Sequence, residues 1–216
     1  GRIVLEGDEI TIESSGKLDA TGATGGGTVL VGGDWQGSGP LQQARTVSLA
    51  EGALIDVSAT QSGTGGKAVL WSDVGNAASL TSAHGTILAL GGALGGDGGQ
   101  IETSGHRLDT QGVRGSAGAA KGQGGVWLFD PYDVAIVSSS ASGGSFTGGT
   151  WTPSANSSQV LNSDIQTLLN GGTNVTITTG GAGTQAGDIT LAAGITKTAG
   201  ASATTLTLKA DRSVVM

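Results

Sequence analysis

The densest group of residues able to do chemistry is the run Trp127-Leu128-Phe129-Asp130-Pro131-Tyr132-Asp133. An aromatic face suits a sugar ring, so Trp127 and Tyr132 are candidate carbohydrate contacts, together with the separate Trp35. The run also reads as structure: Pro131 stops a strand, Asp130 caps the turn, and Trp127 with Phe129 packs into core or loop. Trp71 and Trp151 are scattered, and each reads as packed under an adjoining loop.

Catalytic and metal-binding patterns are weaker. Ser104, His106 and Asp109 hold the side chains of a hydrolytic triad, but alternation along a strand puts 104 and 106 on one face and 109 on the other. Triads are assembled from separate segments rather than from six residues. His84 and His106 are the two histidines, and neither has the local acidic cluster of a zinc site. Glycoside hydrolysis requires two facing carboxylates. The local pairs Asp130/Asp133, Asp8/Glu9 and Asp97/Glu102 fall in turns or strand ends, so no catalytic residue is assigned. The stretch Gly91-Gly92-Ala93-Leu94-Gly95-Gly96-Asp97 departs from the spacing of calcium-binding nonapeptides. No Gly-x-Gly-x-x-Gly and no phosphate-loop Lys motif occur, which argues against nucleotide cofactors. Thr-x-Thr pairs at 176/178, 196/198 and 205/207 are too irregularly spaced for one flat ice-binding face. Asn156-Ser157-Ser158 and Asn174-Val175-Thr176 match the glycosylation pattern.

The elements that must position these residues follow from composition and repetition. Glycine supplies 42 of 216 residues, against a usual share of roughly 7 %. Hydrophobic residues reach 37 % but aromatics only 3 %, so any core is built from Val, Ile, Leu and Ala. A net charge of −7 lacks the clustered Lys and Arg that phosphate backbones and anionic membranes demand. No run approaches the ~18 apolar residues of a membrane span. Cysteine is absent, which excludes a disulfide framework and thiolate metal sites. That absence suits export as an unfolded chain, and equally arises by chance.

A unit recurs: a short apolar strand, a turn carrying a Gly-Gly pair, then a second apolar strand. The first strands begin at Leu18-Asp19, Ile55-Asp56, Ile87-Leu88 and Leu108-Asp109. The pairs end at Gly27, Gly66, Gly99 and Gly125, with steps of 39, 33 and 26 residues. Stacked near-identical units make a solenoid, and the drifting step fits coils that accept insertions. Alternation predicts inward pairs at Ile10/Ile12, Val29/Val31, Ile55/Val57, Val69/Trp71, Val175/Ile177, Ile189/Leu191 and Leu206/Leu208. At about 22–25 residues per coil, nine coils are expected, stacked ~4.8 Å apart. One helix is predicted over 163–170, with Ser163 as N-cap and Gly171-Gly172 at its end. The predicted organisation is a β-helix block over 1–137, a Ser/Gly-rich loop or extrusion over 138–160, and the helix followed by further coils over 161–216.

The ordered series of motifs adds a resemblance. It runs Gly32-Gly33-Asp34-Trp35-Gln36-Gly37, Ala53-Leu54-Ile55-Asp56-Val57-Ser58-Ala59 and Gly65-Gly66-Lys67-Ala68-Val69-Leu70-Trp71-Ser72-Asp73. It continues through Gly98-Gly99-Gln100-Ile101-Glu102-Thr103-Ser104-Gly105-His106 and Gly125-Val126-Trp127-Leu128-Phe129-Asp130-Pro131-Tyr132-Asp133-Val134. Leu169-Asn170-Gly171-Gly172-Thr173-Asn174-Val175-Thr176-Ile177 completes it. This series resembles the secreted exoproteins of the filamentous haemagglutinin family, in the part that follows their N-terminal secretion domain. The resemblance implies an all-β fold, a right-handed parallel β-helix. It also implies two-partner secretion through a dedicated outer-membrane β-barrel transporter to the surface of a Gram-negative bacterium. The implied role is adhesion to a host-cell receptor or glycan, to other bacteria or to matrix polysaccharide. A passive stalk of a toxin-delivery exoprotein and a polysaccharide-degrading β-helix enzyme are the alternatives.

Overall fold

The structure is a computed structural model describing residues 1–131, 133–139, 144–147, 150–153, 158–179, 187–200 and 203–216, with 144–147 and 150–153 as backbone only. Four coils of three strands open the chain. They are β1 (Arg2–Leu5), β2 (Glu9–Ile12) and β3 (Lys17–Asp19); β4 (Thr28–Val31), β5 (Thr46–Leu49) and β6 (Leu54–Asp56); β7 (Lys67–Trp71), β8 (Leu80–Ala83) and β9 (Thr86–Leu88); and β10 (Gln100–Gly105), β11 (Arg107–Asp109) and β12 (Arg114–Ser116). Next come β13 (Val126–Pro131), β14 (Val134–Val137), the antiparallel hairpin β15 (Gly144–Thr147) and β16 (Thr150–Pro153), β17 (Ser158–Leu161) and α1 (Asn162–Asn170). The chain closes with β18 (Asn174–Thr178), β19 (Ile189–Leu191), β20 (Leu206–Lys209) and β21 (Val214–Val215).

Equivalent strands of successive coils stack in parallel and in register, which makes the fold an all-β parallel β-helix. The first sheet runs β1-β4-β7-β10-β13-β18-β20. It therefore has seven levels where nine coils were expected, because insertions lengthen several coils beyond 25 residues. The second sheet runs β2-β5-β8-β11-β17-β14-β19-β21. Here chain order is broken: β17 returns below β14 and seats Gln159 beside Asp109. The end of the segment expected to be a loop over 138–160 is therefore a core strand. The third sheet is β3-β6-β9-β12 and stops there. Helix α1 occupies the next level, with Ile165, Leu168 and Leu169 buried in the same core.

The Gly-Gly pairs are placed by hydrogen bonding. Gly27, Gly66, Gly99 and Gly125 each donate their N–H to the carbonyl at the end of the third strand of the preceding coil: Ala20, Val57, Ala89 and Ala117, at 2.6–2.8 Å. A Cβ on Gly66 would lie 1.9 Å from the Gly27 oxygen, and one on Gly99 would lie 2.1 Å from the Gly66 oxygen. Only glycine lets these backbones approach so closely.

Register decides which residues point inward. Val29, Ala68, Ile101, Trp127, Val175 and Leu206 form one inner column of the first sheet. Val31, Leu70, Thr103, Phe129, Ile177 and Leu208 form the second. The expected inward pair Val69/Trp71 is therefore corrected to Ala68/Leu70. Both phases of Lys-Ala-Val-Leu-Trp are apolar, and stacking on Val29 and Val31 selects one of them. Likewise Leu108-Asp109 belongs to the second sheet, so the third-sheet strand of the fourth coil is β12. The helix starts one residue earlier than expected and lacks a side-chain N-cap, because Leu161 leads directly out of β17.

Candidate functional site

The most elaborated surface lies on the outer face of the first sheet. Val69 and Trp71 point outward and, with Leu30, form a small apolar cluster separate from the axial core. A strap, residues 32–45 between β4 and β5, lies across it and adds Trp35 and Leu41. The local sequence explains the fit. Gly37 adopts φ 60° with its Cα against the Trp71 ring, where a Cβ would come within 2.5 Å of Cζ2. Gln43 accepts the Trp71 indole N–H at 3.1 Å, and Asp34 accepts the Leu41 N–H at 3.0 Å. Trp35 is half-buried, and the Lys67 ammonium sits 5.0 Å from its ring centroid.

Beneath the strap stands a carboxylate that is 0 % exposed, Glu102. It occupies the outward column between Val69 and Leu128. One oxygen accepts the backbone N–H of Gln36 at 2.9 Å, and the other accepts the Ser104 hydroxyl at 2.8 Å. Gln36 is the one non-glycine residue with positive φ among the described residues. Burial pushes the Glu102 carboxyl up to about 7; the two hydrogen bonds and Lys67 oppose this, and Asp130 adds to it. Asp130, in the adjacent outward column beside Ser104, is also pushed up by burial and pulled back by Thr178 and Lys209.

Sequence reasoning paired Glu102 with Asp97, and Asp130 with Asp133. The structure instead sets Asp130 beside Ser104, one outward position along from Glu102, through the register of β10 on β13, near enough to raise the Glu102 carboxyl. The signal was present in the distance from the Gly-Gly pair. Residues three and five beyond the second glycine, such as Val69, Trp71, Glu102 and Asp130, face outward, and the residue two beyond it faces inward. Both Glu102 oxygens are thus occupied, one by the strap backbone and one by Ser104.

Trp127 is corrected as a carbohydrate contact. It is 0 % exposed, stacks on Phe129 at 5.3 Å between centroids, and donates its N–H to Thr103. Its offset of two from Gly125 puts it in the inner column, and no face remains for a sugar. Tyr132 lies outside the described residues, as do Asn156 and the side chain of Trp151. Trp35 is partly exposed. The turn after Pro131 passes through Tyr132 and so lies outside the described residues; Asp133 beyond it accepts the Asp188 N–H at 2.8 Å. The Ser104, His106 and Asp109 side chains are drawn apart. Ser104 bonds Glu102, His106 Nδ1 meets the Val74 carbonyl at 2.9 Å, and Asp109 lies 3.3 Å from His84 Nε2. Asn174 has both amide atoms engaged, donating to the Gly124 carbonyl and accepting from the Thr205 N–H. Among the described residues, no group of three or more His, Asp or Glu side chains converges as metal ligands.

A second feature runs beside the strap. The stacked Gly-Gly pairs floor an open groove of about 560 Å³ along the axis. Lys67 and Gln100 stand on one rim, and Thr64, Asp97 and Gln123 on the other. Seven of the eight floor amides, all but that of Gly124, donate to backbone carbonyls, so polar contacts with a ligand come mainly from the rims. Lys67 belongs to both features, through the groove and through Trp35. In comparisons with known proteins, no family model matches the chain and no curated protein is significantly similar to it.

Proposed function

We propose that this chain is a structural and adhesive segment of a large secreted bacterial surface protein. The coil stack acts as a stiff spacer, and side chains repeated from coil to coil form a contact face for a glycan, a host-cell receptor or a matrix polysaccharide. The observation that carries the reading is the in-register stacking of seven levels in one sheet, with insertions held outside the core. Such a rod repeats similar contacts along its length, and weak contacts add by avidity. The ordered motif series supports export through an outer-membrane β-barrel partner as part of the same proposal.

The test is binding of the folded chain to a broad glycan array and to bacterial and epithelial cell surfaces. Trp35→Ala and the rim variant Lys67→Ala/Gln100→Ala/Gln123→Ala are run alongside. Saturable binding that weakens at least tenfold in either variant is expected. Retention of the parent and both variants at the level of an inert protein would leave a passive stalk.

A further inference from the structure

We infer that the strap over the first sheet is a pH-responsive cover, latched by Glu102, whose opening uncovers the Leu30, Val69 and Trp71 face and frees Trp35 from Lys67. The geometry carries this. The strap's ends are fixed, Gly32 by the Leu5 carbonyl and Ala44 in the axial core, but between them, over 33–43, it crosses an apolar cluster of its own, so this middle part can lift without breaking a coil. At its centre one side chain bonds the strap backbone, since Glu102 accepts the Gln36 N–H; Lys67 over Trp35 and the Trp71 indole on Gln43 are its other side-chain ties to the sheet. The Glu102 tie is made at the residue whose backbone conformation is least comfortable. Leu41 and Gln42, at its far end, are held by Asp34 and Glu6, and these contacts hinge the segment rather than latch its centre.

Chemistry gives the direction. When Glu102 is protonated, one oxygen still accepts the Gln36 N–H, and the acid O–H can donate to the Ser104 oxygen. Both contacts survive and no charge is buried. When Glu102 ionises under the closed strap, the charge is held away from water, beside Asp130 on β13 and with Lys67 on β7 as its cationic neighbour. Lifting the strap returns the carboxylate to solvent. Lifting the strap moves the carboxyl back towards its ordinary value, whereas closed burial holds it near 7. Opening therefore becomes easier as pH rises between these values, by up to tenfold per pH unit. Local opening of this kind draws on the low-stability end of a fold. The cover is shut in acid and loosened at neutral and alkaline pH.

Hydrogen exchange of the intact chain, corrected for intrinsic amide chemistry, reads this directly. Protection of the Gln36 amide and its neighbours in 33–43 is expected to fall at least tenfold between pH 5.5 and pH 7.5, while the Ile101 and Val175 amides stay unchanged. In Glu102→Gln the neutral amide keeps both contacts, and protection of the strap is expected to be independent of pH. Asp130→Asn is expected to shift the transition without abolishing it. Strap protection that does not change with pH in the parent overturns the inference. So does a pH dependence that persists in Glu102→Gln.

Discussion

At the scale of single residues, burial and neighbouring groups set the response to pH. Glu102 is raised to about 7 and Asp164 to about 6, both first by burial, and burial also raises Asp130. For each, the folded chain holds a proton that the unfolded chain has released, so stability falls as pH rises from the ordinary carboxylate range towards about 7. His84 is raised, first by its hydrogen bond to Asp109. Its stabilising share is present below pH 6.5 and is lost as pH climbs through its folded value. All four act in the same direction, so the melting temperature is expected to be higher at pH 5.5 than at pH 8, as read by calorimetry. Glu102→Gln should raise stability at pH 8 by on the order of 2 kcal/mol and remove part of that slope. Trp127 makes the opposite point about aromatic residues. Truncating a fully buried Trp that stacks on Phe129 should cost about 3–5 kcal/mol in denaturant titration, so Trp127→Ala reports on folding rather than on ligand binding.

At the scale of elements, the Gly-Gly turn is the component on which the stack depends. Gly99→Ala would place a Cβ 2.1 Å from the Gly66 oxygen, and the nearest atoms it meets are all backbone of Gly65 and Gly66, which leaves nothing flexible to yield. A loss of at least about 3 kcal/mol is expected. Gly112 is the matched control, with φ 74° and nothing within 4 Å of an added Cβ, so Gly112→Ala should cost only about 1 kcal/mol from backbone strain. Comparing both by chemical denaturation separates close approach from backbone conformation. Helix α1 does a different job. It replaces the fifth strand of the third sheet, and Asn170 at its end accepts the N–H groups of Thr198 and Ala199. Asn170→Ala should therefore deprotect the 196–200 segment in hydrogen exchange while leaving the first four coils unaffected. The helix itself was legible from its apolar face at Ile165, Leu168 and Leu169 and from the glycines that follow it. Its role as a plug was not, because that depends on the third sheet stopping at β12.

At the scale of the whole molecule, each coil buries its faces only against its neighbours, so damage spreads along the axis. Ile177 is fully buried in the inner column between Phe129 and Leu208. Ile177→Asp is expected to unfold β13, β18 and β20 together, seen as loss of exchange protection across all three strands. A mutant that melts like the parent would show that the column is not continuous there.

Local sequence signals were enough to specify a parallel β-solenoid with a largely aliphatic core, the positions of the Gly-Gly turns, and one short helix that interrupts the coils. These follow from local rules: alternation has a period of two, glycine marks close approach, and a helix carries its own apolar stripe. Tertiary packing was needed to select which alternating set of Lys67–Trp71 faces inward, to bring β17 into the second sheet below β14, and to set Glu102 under the Gln36 amide with Asp130 nearby. Each of these depends on contacts between segments 24 to 66 residues apart in the chain. Register is settled by stacking against an existing column, not by any property of the strand read alone.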